Sequence, residues 1–344
     1  MASIVLGIGS SHTPLLTLTA DHWHHRAQAD YANPALNMSD GRLLSYAQVL
    51  AELGPRCADA IGPGVLAAKE RACNEALDRL AEALARAEPD LVVIIGDDQR
   101  ELFSAANQPA IAIFHGERLV TKNKYAGANG TAWLEAIGRG YLMDDTHTLQ
   151  GAPDFALDLI RSLIDADFDV AACESVDDPR NAGFGHAYGF IAKRLFNGRR
   201  IPVLPVLLNT YYGPNVPSAA RCWKFGQALG RAIRASANPA RVAVVASGGL
   251  SHFVVDEELD RKVLRALTEG DGATLAALPR EALNSGSSEI LNWVAMAGAV
   301  TPLALSWQTY QPLYRTPAGT GVGAAFALWG AAEHPATPVR SSDL

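Results

Sequence analysis

Short, wholly apolar runs alternate along this chain with longer segments of helical spacing, and that alternation restricts it to few folds. Ile4–Ile8, Leu91–Ile95, Ala110–Phe114, Ile201–Leu208 and Arg241–Ala246 each read as a strand with little or no polar interruption. A strand apolar at every position has both faces covered, whereas a half-exposed strand alternates. Between these runs, Leu66, Cys73, Leu77, Leu80 and Leu84 recur at helical steps within Val65–Arg86. Phe155–Asp165, Tyr188–Phe196, Ala219–Ser236 and Ser288–Ala299 read as further helices, Asp169–Cys173 as a short strand, and Gly321–Trp329 as a closing core segment. The expected fold is α/β: a single domain with a central, mostly buried sheet flanked by helices on both faces. One catalytic domain is expected over residues 1–333, with an irregular insertion or lid at 21–63 and a loosely ordered tail at 334–344. Within the insertion, Tyr31–Leu53 is expected to cover a pocket rather than join the sheet.

A net charge of −7 over 344 residues argues against nucleic acid or an anionic membrane as partner. No run of about 18 apolar residues suggests a membrane span. The opening MASIVLGIGSSHTP lacks the charged start of a signal peptide. Cys57, Cys73, Cys173 and Cys222 form no paired spacing, so neither a zinc knuckle nor a disulfide framework is expected, and a cytoplasmic setting is.

Strand ends carry the polar chemistry. In open α/β sheets, ligands collect beyond the carboxyl ends of the strands. Ile4–Ile8 leads to His12; Leu91–Ile95 to Asp97, Asp98 and Gln99; Ile201–Leu208 to Asn209, Thr210 and Tyr211; Arg241–Ala246 to Ser251 and His252. A lone histidine after a strand is usually structural, but two, each behind a Gly/Ser turn, are harder to dismiss. Gly7–Ile8–Gly9 lacks the third glycine and the helix of a dinucleotide site. Gly248–Gly249–Leu250–Ser251–His252 is no nucleophile elbow, because its serine is directly beside its histidine. His22, His24 and His25 cluster, but within the irregular insertion, where a surface or lid role is expected.

Gly9-Ser10-Ser11-His12-Thr13-Pro14, then Gly185-His186, then Gly248-Gly249-Leu250-Ser251-His252, then Ser288-Glu289-Ile290-Leu291-Asn292-Trp293 together resemble the successive motifs of class III extradiol ring-cleavage dioxygenases. This is the protocatechuate 4,5-dioxygenase catalytic-subunit superfamily, and the branch resembled is that of 3-O-methylgallate dioxygenase. Arg221-Cys222-Trp223-Lys224 also falls in the family's order. The resemblance implies an Fe(2+) enzyme acting on O₂ and a small catechol-like aromatic of the protocatechuate, gallate, methylgallate or hydroxypyridone type, and a homodimer or higher homo-oligomer. Carried over by position, His12 and Glu289 are metal ligands, His252 is the acid/base, and His186 lines the substrate pocket. Asn209, Thr210, Tyr211 and Ser251 are expected to contact substrate.

One departure matters. The family's second metal histidine is replaced by Gln99, within Asp97-Asp98-Gln99. Either Gln99 ligates through its amide oxygen, a weaker donor to iron(II) than imidazole, or Asp97 or Asp98 substitutes, or the metal is held more loosely. The expectation for Gln99 rests on position, with Leu91–Ile95 ending beside the strand that presents His12. Two other readings stand beside the enzyme: a zinc hydrolase using the same ligands, and a non-catalytic metal-binding member of the fold. For Glu289, the structural alternative is a partner in capping the helix that follows it.

Overall fold

Alternate residues of the apolar strands enter different cores. Val93 and Ile95 pack on one face of the sheet and Val92 and Ile94 on the other; Val244 and Val245 divide the same way. This is the physical reason for the unbroken apolar runs: the central strands have no solvent face to supply polar positions. The computed structural model describes residues 1–330 except Asn129, Asp177, Pro179 and Arg180; the 334–344 tail lies outside the described residues.

Four parallel strands form the centre, in the order Ser3–Ser10, Arg241–Ser247, Leu91–Asp97, Val203–Leu208. Ile111–Phe114 runs antiparallel beside the last of these, followed by Ala171–Cys173. On the other side Thr320–Trp329 pairs antiparallel with Ser3–Ser10, and both His252–Val254 and Leu305–Tyr314 pair with Thr320–Trp329. The sheet is thus mixed and single, and the domain is α/β. Helices Pro153–Ile164, Ala219–Ala235 and Ile290–Val300 contribute to the core on one face, and Pro63–Ala87 and His186–Leu195 to that on the other.

Two expectations are corrected here. Leu91–Asp97 does not lie beside the strand that presents His12, because Arg241–Ser247 runs between them. Nor is the 21–63 insertion irregular. It holds helices His24–Ala32 and Tyr46–Leu53 and a short pairing of Leu36–Asn37 with Leu43–Leu44.

The insertion stays off the main sheet and packs over its carboxyl end. Leu36 and Val49 bury against Val254 and Ala318. Asp30 forms a buried ion pair with Arg315 at 2.8 Å and accepts a hydrogen bond from Thr320 Oγ1 at 2.7 Å. Asn37 donates to the His252 carbonyl at 2.5 Å and accepts from Phe253 N at 3.0 Å. Among the described residues, no helix is long and apolar enough to cross a membrane.

Candidate metal centre

The carboxyl ends of three parallel strands and the starts of two helices meet beneath the insertion. His12 follows Ser3–Ser10, and Asp97 ends its own strand. His186 opens the helix His186–Leu195, and Glu289 closes a short 3-10 turn (Ser285–Glu289) at the head of Ile290–Val300. Each offers one ligand-type atom, and the four atoms lie within 4.8 Å of one another. All four residues are buried. Ligand atoms about 2.1 Å from one ion lie at most about 4.2 Å apart, so a contraction of some tenths of an ångström would bring all four to a single cation.

Hydrogen bonding decides which nitrogens are bare. Ser247 Oγ gives its proton to the Ala187 carbonyl at 2.6 Å, so it accepts from His12 Nδ1 at 2.8 Å. With the proton on Nδ1, Nε2 presents its lone pair 3.3 Å from Glu289 Oε2 and has no hydrogen-bond partner. A lone pair facing a carboxylate oxygen inside a protein requires a cation between them, either a second proton on the ring or a metal. Tyr141 OH holds the His12 carbonyl at 2.6 Å, which fixes the ring's origin.

His186 repeats the arrangement. Its Nδ1 lies 2.9 Å from Glu101 Oε1, leaving Nε2 for the cluster. A carboxylate on the far nitrogen of a ligating histidine orients the ring and raises its basicity. Burial opposes the charged imidazole, but Glu101 outweighs it and lifts the His186 pKa to about 9. Burial likewise opposes Glu101 ionisation, yet His186 and Lys124 hold its carboxyl at about 2. Gly185 is required here, since a Cβ at that position would overlap the Glu101 carboxylate.

Glu289 does not cap the helix that follows it with its side chain. Its Oε2 accepts from Gly249 N at 2.6 Å. Burial acts to raise its pKa, but His12 and then His252 prevail and hold it well below the ordinary carboxylate range. Asp97 goes the other way: burial first, and then Glu289, raise its pKa. Its Oδ1 has no partner, while Oδ2 accepts from Gln99 Nε2 at 3.2 Å. Gln99 is thus half-buried, lines the cavity and is hydrogen-bonded to Asp97. Asp98 is turned to local structure, accepting from Leu102 N and Phe103 N.

The cluster opens into a cavity of about 360 Å³. A cavity of roughly 150 Å³ holds benzene, so one substituted ring fits. Three larger clefts, about 630, 620 and 430 Å³, contain none of the four metal-capable groups. His252 lines the smaller cavity. Its Nδ1 donates to the Leu250 carbonyl at 2.9 Å, which leaves Nε2 as the unprotonated nitrogen. Burial depresses its pKa, partly offset by Glu289. A Cβ on Gly249 would overlap the ring, and the His252 backbone is fixed by Ser287 Oγ and Asn37.

The remaining candidates divide. Tyr211 lines the cavity, with its hydroxyl 3.1 Å from Ser285 Oγ. Asn209 instead closes a loop, donating to Tyr212 O and Asn215 Oδ1. Ser251 gives its hydroxyl to Asp260 at 2.7 Å, away from the cavity lining. Thr210 is buried with no partner for its hydroxyl and is also outside that lining. Glu101, Arg26, Lys124, Tyr125, Tyr141 and Arg315 line the cavity without having been singled out from sequence. His22, His24 and His25 stack with one another outside it.

Residues 60–326 match the family model for the catalytic LigB subunit of aromatic ring-opening dioxygenase. The chain belongs to this family. The family match starts beyond His12 and most of the insertion, so it does not itself reach the first of the four clustered groups. A gallate dioxygenase from Pseudomonas putida is similar at 31% identity over 139 residues, covering 36% of this chain and 38% of that protein. The chain thus aligns with well under half the length of that relative.

Proposed function

We propose that this LigB-family protein is a non-haem iron(II) dioxygenase that opens the ring of a catechol-like aromatic by the extradiol route. The observation that carries the reading is the convergence of His12, His186 and Glu289, with Nδ1 of each histidine engaged elsewhere and Nε2 left to the cluster. Two imidazoles and one carboxylate around open positions are the donor set of iron(II) oxygenases. His186 thus supplies the second imidazole that Gln99 does not, and Asp97 is a fourth donor that Gln99 orients. The donor chemistry fits: a buried lone pair opposed to a carboxylate, and a second buried carboxylate with an unpartnered oxygen, each call for a cation.

Bound there, iron(II) supplies the electronic link between an aromatic diol and O₂. The protein's own groups handle protons and position. His252 Nε2 is unprotonated and faces the cavity, so it can accept a proton from a substrate hydroxyl and later return it. Tyr211, held by Ser285, forms part of the wall against which a ring rests. From the insertion, Arg26 contributes to the cavity wall, whereas Tyr31–Leu53 does not line it.

The test is anaerobic reconstitution with iron(II), followed by oxygen-electrode measurements with protocatechuate, gallate, 3-O-methylgallate and hydroxypyridones. Uptake of one O₂ per ring opened, requiring about one iron per chain, is expected. Full activity with zinc and no iron would overturn the proposal.

A further inference from the structure

The cavity wall holds three cations, Arg26, Lys124 and Arg315, and their pairing differs. Arg315 is neutralised by Asp30 at 2.8 Å. Lys124 lies 3.7 Å from Glu101, which is also the partner of His186. Arg26 has no acidic partner among the described residues, and its Nε is buried without a hydrogen bond. A dication at the centre would be matched by Asp97 and Glu289. After these pairings, Arg26 is the charge left over on the wall of a ring-sized cavity.

Its surroundings do not explain it structurally. Arg26 sits on the helix His24–Ala32 and senses both Arg315, a like charge, and Tyr141, whose hydroxyl holds the His12 carbonyl. A guanidinium placed near another cation, with one donor sealed from water, is costly unless an anion meets it. Planar paired N–H donors match a carboxylate.

We infer that Arg26 is a specificity-determining residue that receives a carboxylate carried by the substrate ring, selecting aromatic acids over neutral rings. This rests on the ring-opening reading for the identity of the ring, while the carboxylate contact can be measured without turnover.

The probes are 3,4-dihydroxybenzoate and its methyl ester, which differ in charge at one substituent. With iron-loaded protein held anaerobically, equilibrium binding should favour the acid by about tenfold or more. Arg26→Gln should bring that ratio close to one, and Arg26→Lys should restore part of it. Added salt should narrow the wild-type ratio, as for any ion pair open to solvent at one end. Circular dichroism and metal content of both variants establish that they fold and load. An acid-to-ester ratio unchanged in Arg26→Gln, or a wild type that binds both equally, would overturn the inference. The two readings separate cleanly. Arg26-dependent acid binding without O₂ uptake supports this inference and defeats ring opening, whereas ring opening with no charge discrimination does the reverse.

Discussion

Replacing Asp30 by asparagine keeps the shape of the side chain and removes one charge. Arg315 and Asp30 are 3% and 4% exposed at their side chains, joined at 2.8 and 3.0 Å, with Thr320 donating to the same carboxylate. Asp30→Asn leaves a buried guanidinium without a counter-ion, a change that costs about 3–5 kcal/mol. The loss should fall first on the insertion, since Asp30 is on its first helix and Arg315 follows the strand Leu305–Tyr314. A cost of about 3 kcal/mol raises local opening by roughly 150-fold. Hydrogen exchange of His24–Ala32 should accelerate accordingly, and limited proteolysis should cut within the insertion before the sheet. In an Arg315→Met background the same substitution should cost under about 1 kcal/mol, because no buried charge is then orphaned. If Asp30→Asn alone costs under about 1 kcal/mol, water reaches the pair and the argument from burial fails.

The metal centre gives the other predictions. Asp97→Asn should weaken metal binding by on the order of tenfold or more, measured by competition with a chromophoric chelator, and Gln99→Ala by less; equal losses would place Gln99 in direct contact. His252→Ala should retain metal while turnover falls by on the order of a hundredfold or more, and loss of the metal would make His252 a ligand. Because burial depresses the His252 pKa below 6.5, the free base predominates at pH 7. The kcat/KM profile should therefore fall on the acid side with an inflection under 6.5, and that limb should disappear in His252→Ala. Chelation should lower the denaturation midpoint, since metal at a hundred times its Kd adds about 2.7 kcal/mol; an unchanged midpoint would mean the four groups hold no ion.

The strands were legible because their apolar runs end abruptly at a glycine or a polar residue, and His12, Asp97 and His252 follow within a few residues of those ends. Strand order was not legible. Nothing local states that Arg241–Ser247 inserts between the first strand and Leu91–Asp97. The partnership of Glu101 with His186 spans 85 residues and leaves no spacing to read, although Glu101 sits just past Gln99. Helix His24–Ala32 was hidden because a polar residue, Asp30, completes its buried face beside Ala27. Leu305–Tyr314 was missed because it is only partly buried and carries Pro312, which a sheet tolerates at its margin. Asn209 and Ser251 were singled out by their places after strand ends; their side chains bond a nearby loop and helix, outside the cavity lining.

The topology also sets the order in which a newly made chain can become safe. Ser3–Ser10 is synthesised well before both of its sheet neighbours, Arg241–Ser247 and Thr320–Trp329. Until then this apolar segment has neither edge satisfied, a state prone to pairing with other chains. Such distant pairings make folding slow. Demand for chaperone protection should be greatest during synthesis and should end abruptly once Thr320–Trp329 is free to close the sheet.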